Sequence, residues 1–218
     1  MIRFALLYPT PDAAEDDFIG LAARCDPPAQ VVPVHFPWPE GAEDLTVLDT
    51  EQTYAAVREL GSDAHLERVT TVSTTSAFQH AVQHSGLTSV ALASVYHPSA
   101  SDHFIDRLAE VGATTISRVD ADASSDRELA TWSSDQIASL VRACVHDDAQ
   151  AVVLPETALH TATIADLLDQ AAGRPVLTAT QVTIWAAYRA LAQHPRTTNA
   201  GILFVGAESA RPDGANQG

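Results

Sequence analysis

Short apolar runs recur along the chain, each closed by a polar turn and most followed by a stretch whose apolar residues return every three or four positions. The runs Ile2–Tyr8, 31–36, 69–72, Ser89–Ser94, 114–117, Ala151–Leu154, 175–178 and 202–205 predict strands. Helical spacing predicts helices over 52–60, 76–84, 103–111, 134–145, 164–171 and 182–191. The punctuation agrees. Pro37 and Pro39 end the second run, Asp49-Thr50 and Ser134-Asp135 offer caps, and Gly86, Gly112 and Gly173 stand where helices stop. The segment "DADASSDRELAT" reads as a polar loop and the tail "ESARPDGANQG" as a frayed end.

Strands separated by helices of about ten to fifteen residues imply an α/β fold built on parallel sheet with crossover helices. No short period repeats. However, "GLTSVALASVYHPS" and "DAQAVVLPETALHT" both run from a strand into a polar turn, which predicts two similar lobes. Each lobe is expected to hold a short parallel sheet flanked by helices, with the active-site cleft between them. The expected boundaries are 1–85 plus 187–218 for the first lobe and 86–186 for the second.

Composition narrows the partners. With 28 Asp and Glu against 12 basic residues, the formal charge of −16 disfavours nucleic acid and anionic membrane surfaces. A hydrophobic content of 46% suits a packed core, and no apolar run approaches the ~18 residues that a membrane span needs. Two cysteines cannot make a disulfide framework, so the expected location is cytoplasmic. The expected partner is a small-molecule substrate, with a homo-oligomer left open.

In a parallel sheet, ligands gather at the carboxyl ends of strands, so the residues just after each apolar run are the informative ones. Four turns qualify: Pro9-Thr10-Pro11-Asp12, Ser73-Thr74-Thr75-Ser76, Val95-Tyr96-His97 and Pro155-Glu156-Thr157. Each also has a plain structural reading. Hydroxyl clusters cap helices, a tyrosine packs with its hydroxyl wet, and an acid suits the first turn of a helix. His80 and His84 share a helix face without a third ligand, so no metal site is expected. There is no glycine-rich phosphate loop, and no cofactor is expected. Neither Cys25 nor Cys144 ends a strand, so both are read as bystanders.

The stretch "VVLPETALHTATIADLLDQAAGRPVLTATQVTIWAAYRAL" resembles the aspartate/glutamate racemase superfamily, in its maleate isomerase and arylmalonate decarboxylase branch. Gly173, Pro175, Val176, Thr178, Gln181 and Trp185 fall in step with that branch. The segment "TTSAFQHAVQHSGLTSVALASVYHPSASDHFIDRLAEVGA" is similar to its helix–strand–tyrosine segment, which puts Tyr96 at an active-site tyrosine. "FALLYPTPDAAEDDF" resembles its first-strand loop and places Pro9 and Asp12 near the substrate. The departures are equally clear. Glu156 stands where the second catalytic cysteine belongs, and the first cysteine is missing. Either Ser73–Ser76 is a degenerate form of its turn or the surrounding strand and helix are deleted; the shortness of the chain there favours deletion.

A carboxylate is a poor carbon nucleophile, so chemistry by thiol addition is lost, whereas acid/base work survives if burial raises the Glu156 pKa. The expectation is a cofactor-independent isomerase or decarboxylase that transfers a proton at carbon on a small carboxylate or carbonyl compound. Glu156 and Tyr96 would be catalytic. Pro9, Asp12, Ser73, Thr74, Thr75, Thr157, Thr178 and Gln181 would bind substrate. The competing expectation is a non-catalytic ligand-binding or assembly protein that has lost both thiols. A hydrolase built on Ser73 or Ser76 ranks below both, because no histidine is placed to activate either serine.

Overall fold

The computed structural model describes residues 1–8, 13–35 and 72–205. The expected helix over 52–60, almost all of the strand over 69–72, and Pro9 and Asp12 lie outside these residues.

Two parallel sheets organise the described residues. The first pairs β1 (Ile2–Tyr8) with β2 (Ala29–His35), joined through α1 (Glu15–Arg24). The second has the order β4-β3-β5-β6, built from β3 (Ser89–Ser94), β4 (Thr114–Asp120), β5 (Ala151–Leu154) and β6 (Val176–Thr178). Its central strands carry the most continuous apolar runs, "SVALAS" and "AVVL". Every residue of β5, and all of β3 after its first, is buried. That is the signature of a parallel strand covered on both faces. β1 differs from the expected buried strand: its exposure alternates, and only Tyr8, at its carboxyl end, is fully buried.

The helices are α2 (Thr74–His84), α3 (Pro98–Ala109), α4 (Asp126–Leu129), α5 (Ser134–Cys144), α6 (Ala165–Ala172) and α7 (Ala179–Ala190). The Ser73 hydroxyl accepts from the Ser76 amide while the Ser76 hydroxyl caps in return, so α2 starts on a capping box. Gly173 takes the left-handed conformation (φ 65°) that closes α6. α7 returns from the second sheet to pack against α1 and α2. Its Tyr188 meets Phe4 of β1 edge-on at 5.0 Å and donates to the Pro27 carbonyl at 2.7 Å.

Several expectations change. α1 was not anticipated, because its charged start, "EDDF", masks a face on which Phe18, Leu21 and Ala22 are buried. The polar loop after β4 contains α4, one helical turn capped by Ser125. The cap of α5 is Ser133 rather than Ser134. α3 begins at Pro98, where a proline costs no helical hydrogen bond. The last apolar run forms a 3-10 turn, Ile202–Phe204, in place of a strand. No helix among the described residues is long and apolar enough to cross a membrane.

One buried carboxylate ties the first sheet's helix to the second sheet's loops. Asp17 of α1 accepts the Thr161 amide at 2.8 Å, the Ala162 amide at 2.9 Å and the Thr180 hydroxyl at 2.9 Å. Burial raises its pKa, and these three donors oppose the rise without cancelling it. Asp17→Ala strands two buried amides and is expected to cost about 2–4 kcal/mol in urea unfolding, far beyond the surface change Asp16→Ala.

Candidate active site

The carboxyl ends of β1, β3 and β5 deliver three polar side chains to one place. β5 runs Ala151–Leu154 without a polar residue, then turns at Pro155, and the next side chain is Glu156. It is only 2% exposed. Its Oε1 accepts the Ala158 amide at 2.5 Å, a carboxylate turn two residues long. Its Oε2 is also buried and has no hydrogen-bond partner among the described residues. Glu156 is therefore the second residue of a ten-residue loop, and since α6 starts at Ala165, close to the expected 164, it does not sit in the first turn of a helix.

Burial is the main influence on this acid. It pushes the Glu156 pKa up to about 7, and the nearby Asp126 charge adds to the rise while the Ala158 amide and the Tyr96 phenol oppose it. A carboxyl with that pKa is present in both protonation states near neutrality, as a proton carrier requires.

Tyr96 follows β3. Its amide donates to the Ser94 hydroxyl at 3.1 Å, and its phenol donates to the Pro155 carbonyl at 2.9 Å, so it leans onto the turn that carries Glu156. Ser94 is held in turn by the Ser101 hydroxyl at 2.7 Å. Amides 121 and 123 bond the carbonyls of Ser94 and Val95, drawing the loop with Asp126 to the same strand end. Burial raises the Tyr96 pKa well above its ordinary value, and the Glu156 charge adds to this, so the phenol stays protonated.

Tyr8, the last residue of β1, completes the group. It is 3% exposed, packs edge-on against Phe18 at 6.2 Å, and its hydroxyl has no hydrogen-bond partner of good geometry among the described residues. Burial raises its pKa; the Thr157 side chain lowers it, and the charges of Glu156, Asp126 and Glu15 raise it further. Tyr8, Tyr96, Glu156 and Thr157 are thus electrostatic neighbours. Tyr8 and Asp126 were absent from the sequence-based site. Tyr8 sits one residue before the loop considered there, and the strand-end rule that picked Glu156 reaches it without change.

The remaining candidates divide. Thr178 pairs in register with Leu154 and accepts the Thr161 hydroxyl at 3.0 Å. With Gln181 it forms the capping box of α7, its amide donating to Gln181 Oε1 at 3.0 Å. Gln181 Nε2 is buried with no hydrogen-bond partner among the described residues, and the left-handed Gly201 (φ 73°) passes so close that a Cβ there would lie 3.2 Å from it. Thr74 bonds Thr183 of α7 at 3.2 Å, while Ser73 is exposed and spent on its cap. No hydrogen bond joins Ser73, Thr74 or Thr75 to Glu156 among the described residues. Both cysteines are buried, and burial pushes each thiol up to about 11, so neither is a thiolate at neutral pH. His84 stacks near Trp185 at 5.0 Å, and no group of metal-binding side chains forms among the described residues.

The family model for arylmalonate decarboxylase matches residues 53–204. Among solved structures, the chain is similar to the maleate isomerase Iso from Pseudomonas putida S16, at 14% identity and a TM-score of 0.76. That match covers 94% of this chain and 99% of the other. A maleate cis-trans isomerase from Nocardia farcinica, a cysteine-to-serine mutant with a covalently bound succinylcysteine intermediate, gives 15% and 0.75 over 93% and 98% of the two chains. A double mutant of arylmalonate decarboxylase in its liganded form gives 16% and 0.73 over 94% and 99%. These likenesses show the two-lobed fold. A search of curated proteins finds no match.

The raised Glu156 pKa has a thermodynamic consequence. Between the ordinary carboxyl value of 4.5 and about 7, the unfolded chain has released this proton while the folded chain keeps it. Stability from this group is therefore complete below 4.5 and is lost as pH rises through 7. Glu156→Gln removes the effect. Its stability relative to the wild type should rise by roughly 2–3 kcal/mol between pH 5 and 8 in urea titrations.

Proposed function

The chain belongs to the arylmalonate decarboxylase family, and from that premise we propose that it transfers a proton at carbon, as a cofactor-independent isomerase or decarboxylase acting on a small carboxylate or carbonyl compound. Glu156 carries the proton. The observation behind this reading is a carboxyl buried to 2% exposure, with one oxygen bound to an amide and no hydrogen-bond partner on the other among the described residues.

The ligand rests with its reacting carbon against Glu156 Oε2, positioned by Tyr96 and Thr157. Loss of carbon dioxide, or of a proton, leaves the electron pair on that carbon as an enolate. The protonated Glu156 gives its proton to the carbon and becomes a carboxylate, which water reprotonates in a decarboxylation. In an isomerisation the carboxylate form removes the proton and the same group returns it. Burial supports both roles, because it brings the two protonation states close in free energy at neutral pH. A carboxyl in the place of the family's cysteine forms no carbon–sulfur adduct, so a route through covalent addition is closed to this site.

The test follows phenylmalonate, maleate and benzoylacetate by proton NMR in deuterated water. The wild type should give product carrying deuterium at the reacting carbon. Glu156→Gln should lose at least about 100-fold in kcat while staying folded, and an unchanged kcat overturns the assignment. As the decarboxylation needs the protonated acid, its kcat should fall as pH rises through about 7. Binding of these compounds without conversion by the wild type would favour a protein that keeps the site for ligand capture alone.

A further inference from the structure

Tyr96 lies in the segment "SVYHPSAS", Ser94–Ser101, which leads from the end of β3 into α3. The serines at its two ends are both fully buried, and their hydroxyls meet at 2.7 Å. The Ser101 hydroxyl also donates to Asp120 Oδ1, at 2.5 Å. One proton is thus shared between two acceptors, and Ser101 bridges the last residues of β3 and β4, which are partners in the strand register.

Helix capping does not account for this bridge. α3 has its cap in His97, whose ring accepts the Ser99 amide at 3.3 Å. Ser101 lies one turn further along, and its hydroxyl bonds across to the strand ends. A buried hydroxyl costs free energy unless it is bonded, and an alanine would fill the same place more simply. What the bridge does hold is Tyr96. The Tyr96 amide donates to Ser94 Oγ at 3.1 Å, and its phenol reaches the Pro155 carbonyl at 2.9 Å. The backbone behind that phenol is therefore fixed by an oxygen that Ser101 fixes in turn. Arg118 of β4 reinforces the corner, pairing with Asp120 at 3.2 Å and with Asp102, the neighbour of Ser101 on α3.

We propose that Ser101 is a positioning residue of the site: through Ser94 it sets the place from which Tyr96 reaches the turn that presents Glu156. The phenol oxygen stands at the far end of a long side chain, so a small rotation of the backbone at residue 96 moves it farther than the backbone itself. The effect on rate rests on the proton-transfer reading of the site, in which a misplacement of about 1 Å costs on the order of 100-fold. The placement of Tyr96 does not depend on that reading.

Carbon NMR of the full chain labelled at tyrosine Cζ tests the placement, the Tyr96 signal being assigned by its loss in Tyr96→Phe. Ser101→Ala should shift or split that signal and leave the Tyr188 signal in place. Ser101→Thr, which keeps the hydroxyl, should return it to the wild-type position, and Ser139→Ala on α5 should not move it. Should Ser101→Ala fail to fold, Ser101→Cys keeps the volume, weakens the bond and should show the same shift. A hydroxyl that serves packing alone would lower the melting temperature without touching Tyr96, so an unmoved Tyr96 signal overturns the proposal. In turnover of phenylmalonate, Ser101→Ala should lower kcat about tenfold in the wild type and less than about twofold in Tyr96→Phe. An equal loss in both backgrounds also overturns it. A wild type that moves no proton refutes the preceding reading and leaves the NMR measurement to decide this one.

Discussion

The carboxylate of Asp17 is the contact on which the site depends. It sits on a helix of the first sheet, yet its acceptors are used by the amides of Thr161 and Ala162 and by the hydroxyl of Thr180, all on elements that follow β5 and β6. Without it the loop from Pro155 to Ile164 would carry buried amides with no acceptor, and such a loop does not stay buried. Glu156 is its second residue. One helix of the first sheet thereby holds in place the segment that presents the acid of the second, and α7, returning to pack on α1 and α2, closes the same connection through its own first turn.

Within that frame the chemistry of Glu156 follows from a local contrast. Four buried apolar residues lead up to it, and among the described residues Oε1 accepts the Ala158 amide while Oε2 has no hydrogen-bond partner. Asp17 shows the alternative: a carboxyl of comparable burial, given three donors that work against the rise in its pKa. The first is furnished as a structural anchor. The second is left partly unsatisfied, and that is the condition under which a carboxyl holds its proton into the neutral range. Burial raises both pKa values, and the two acids differ further in the hydrogen bonds around them.

Membership of the arylmalonate decarboxylase family makes an isomerase or decarboxylase the natural comparison, and the expectation that Glu156 stands in place of a thiol directs attention to what a buried carboxyl beside two phenols does. A thiol forms and breaks bonds to carbon, whereas a carboxyl exchanges protons. Phenols held neutral by burial donate to oxygen. Under the proposed reading, Tyr8, Tyr96 and Glu156 would serve enolate chemistry rather than covalent addition. The cysteines that the chain does possess, Cys25 and Cys144, are buried, bonded to helical carbonyls and protonated.

Much of this was legible from residue order alone. Continuous apolar runs marked β3 and β5 because a central parallel strand admits nothing else, and the turn residues after them, Tyr96 and Glu156, were exposed to view by the same rule. Helix stops were readable at Gly86, Gly112 and Gly173, where the backbone adopts positive φ. Other features were not legible. α1 hid behind its acidic first turn, and the run at 202–205 became a 3-10 turn, because a short apolar segment takes its conformation from the surface it packs on. Sequence determined that an acid follows a buried strand. Only the tertiary structure decided that Asp17 is satisfied while Glu156 is not, and that Tyr8, 148 positions away along the chain, shares its surroundings. Hydrogen-bond satisfaction is a property of packed neighbours, and the order of residues does not reveal which neighbours meet.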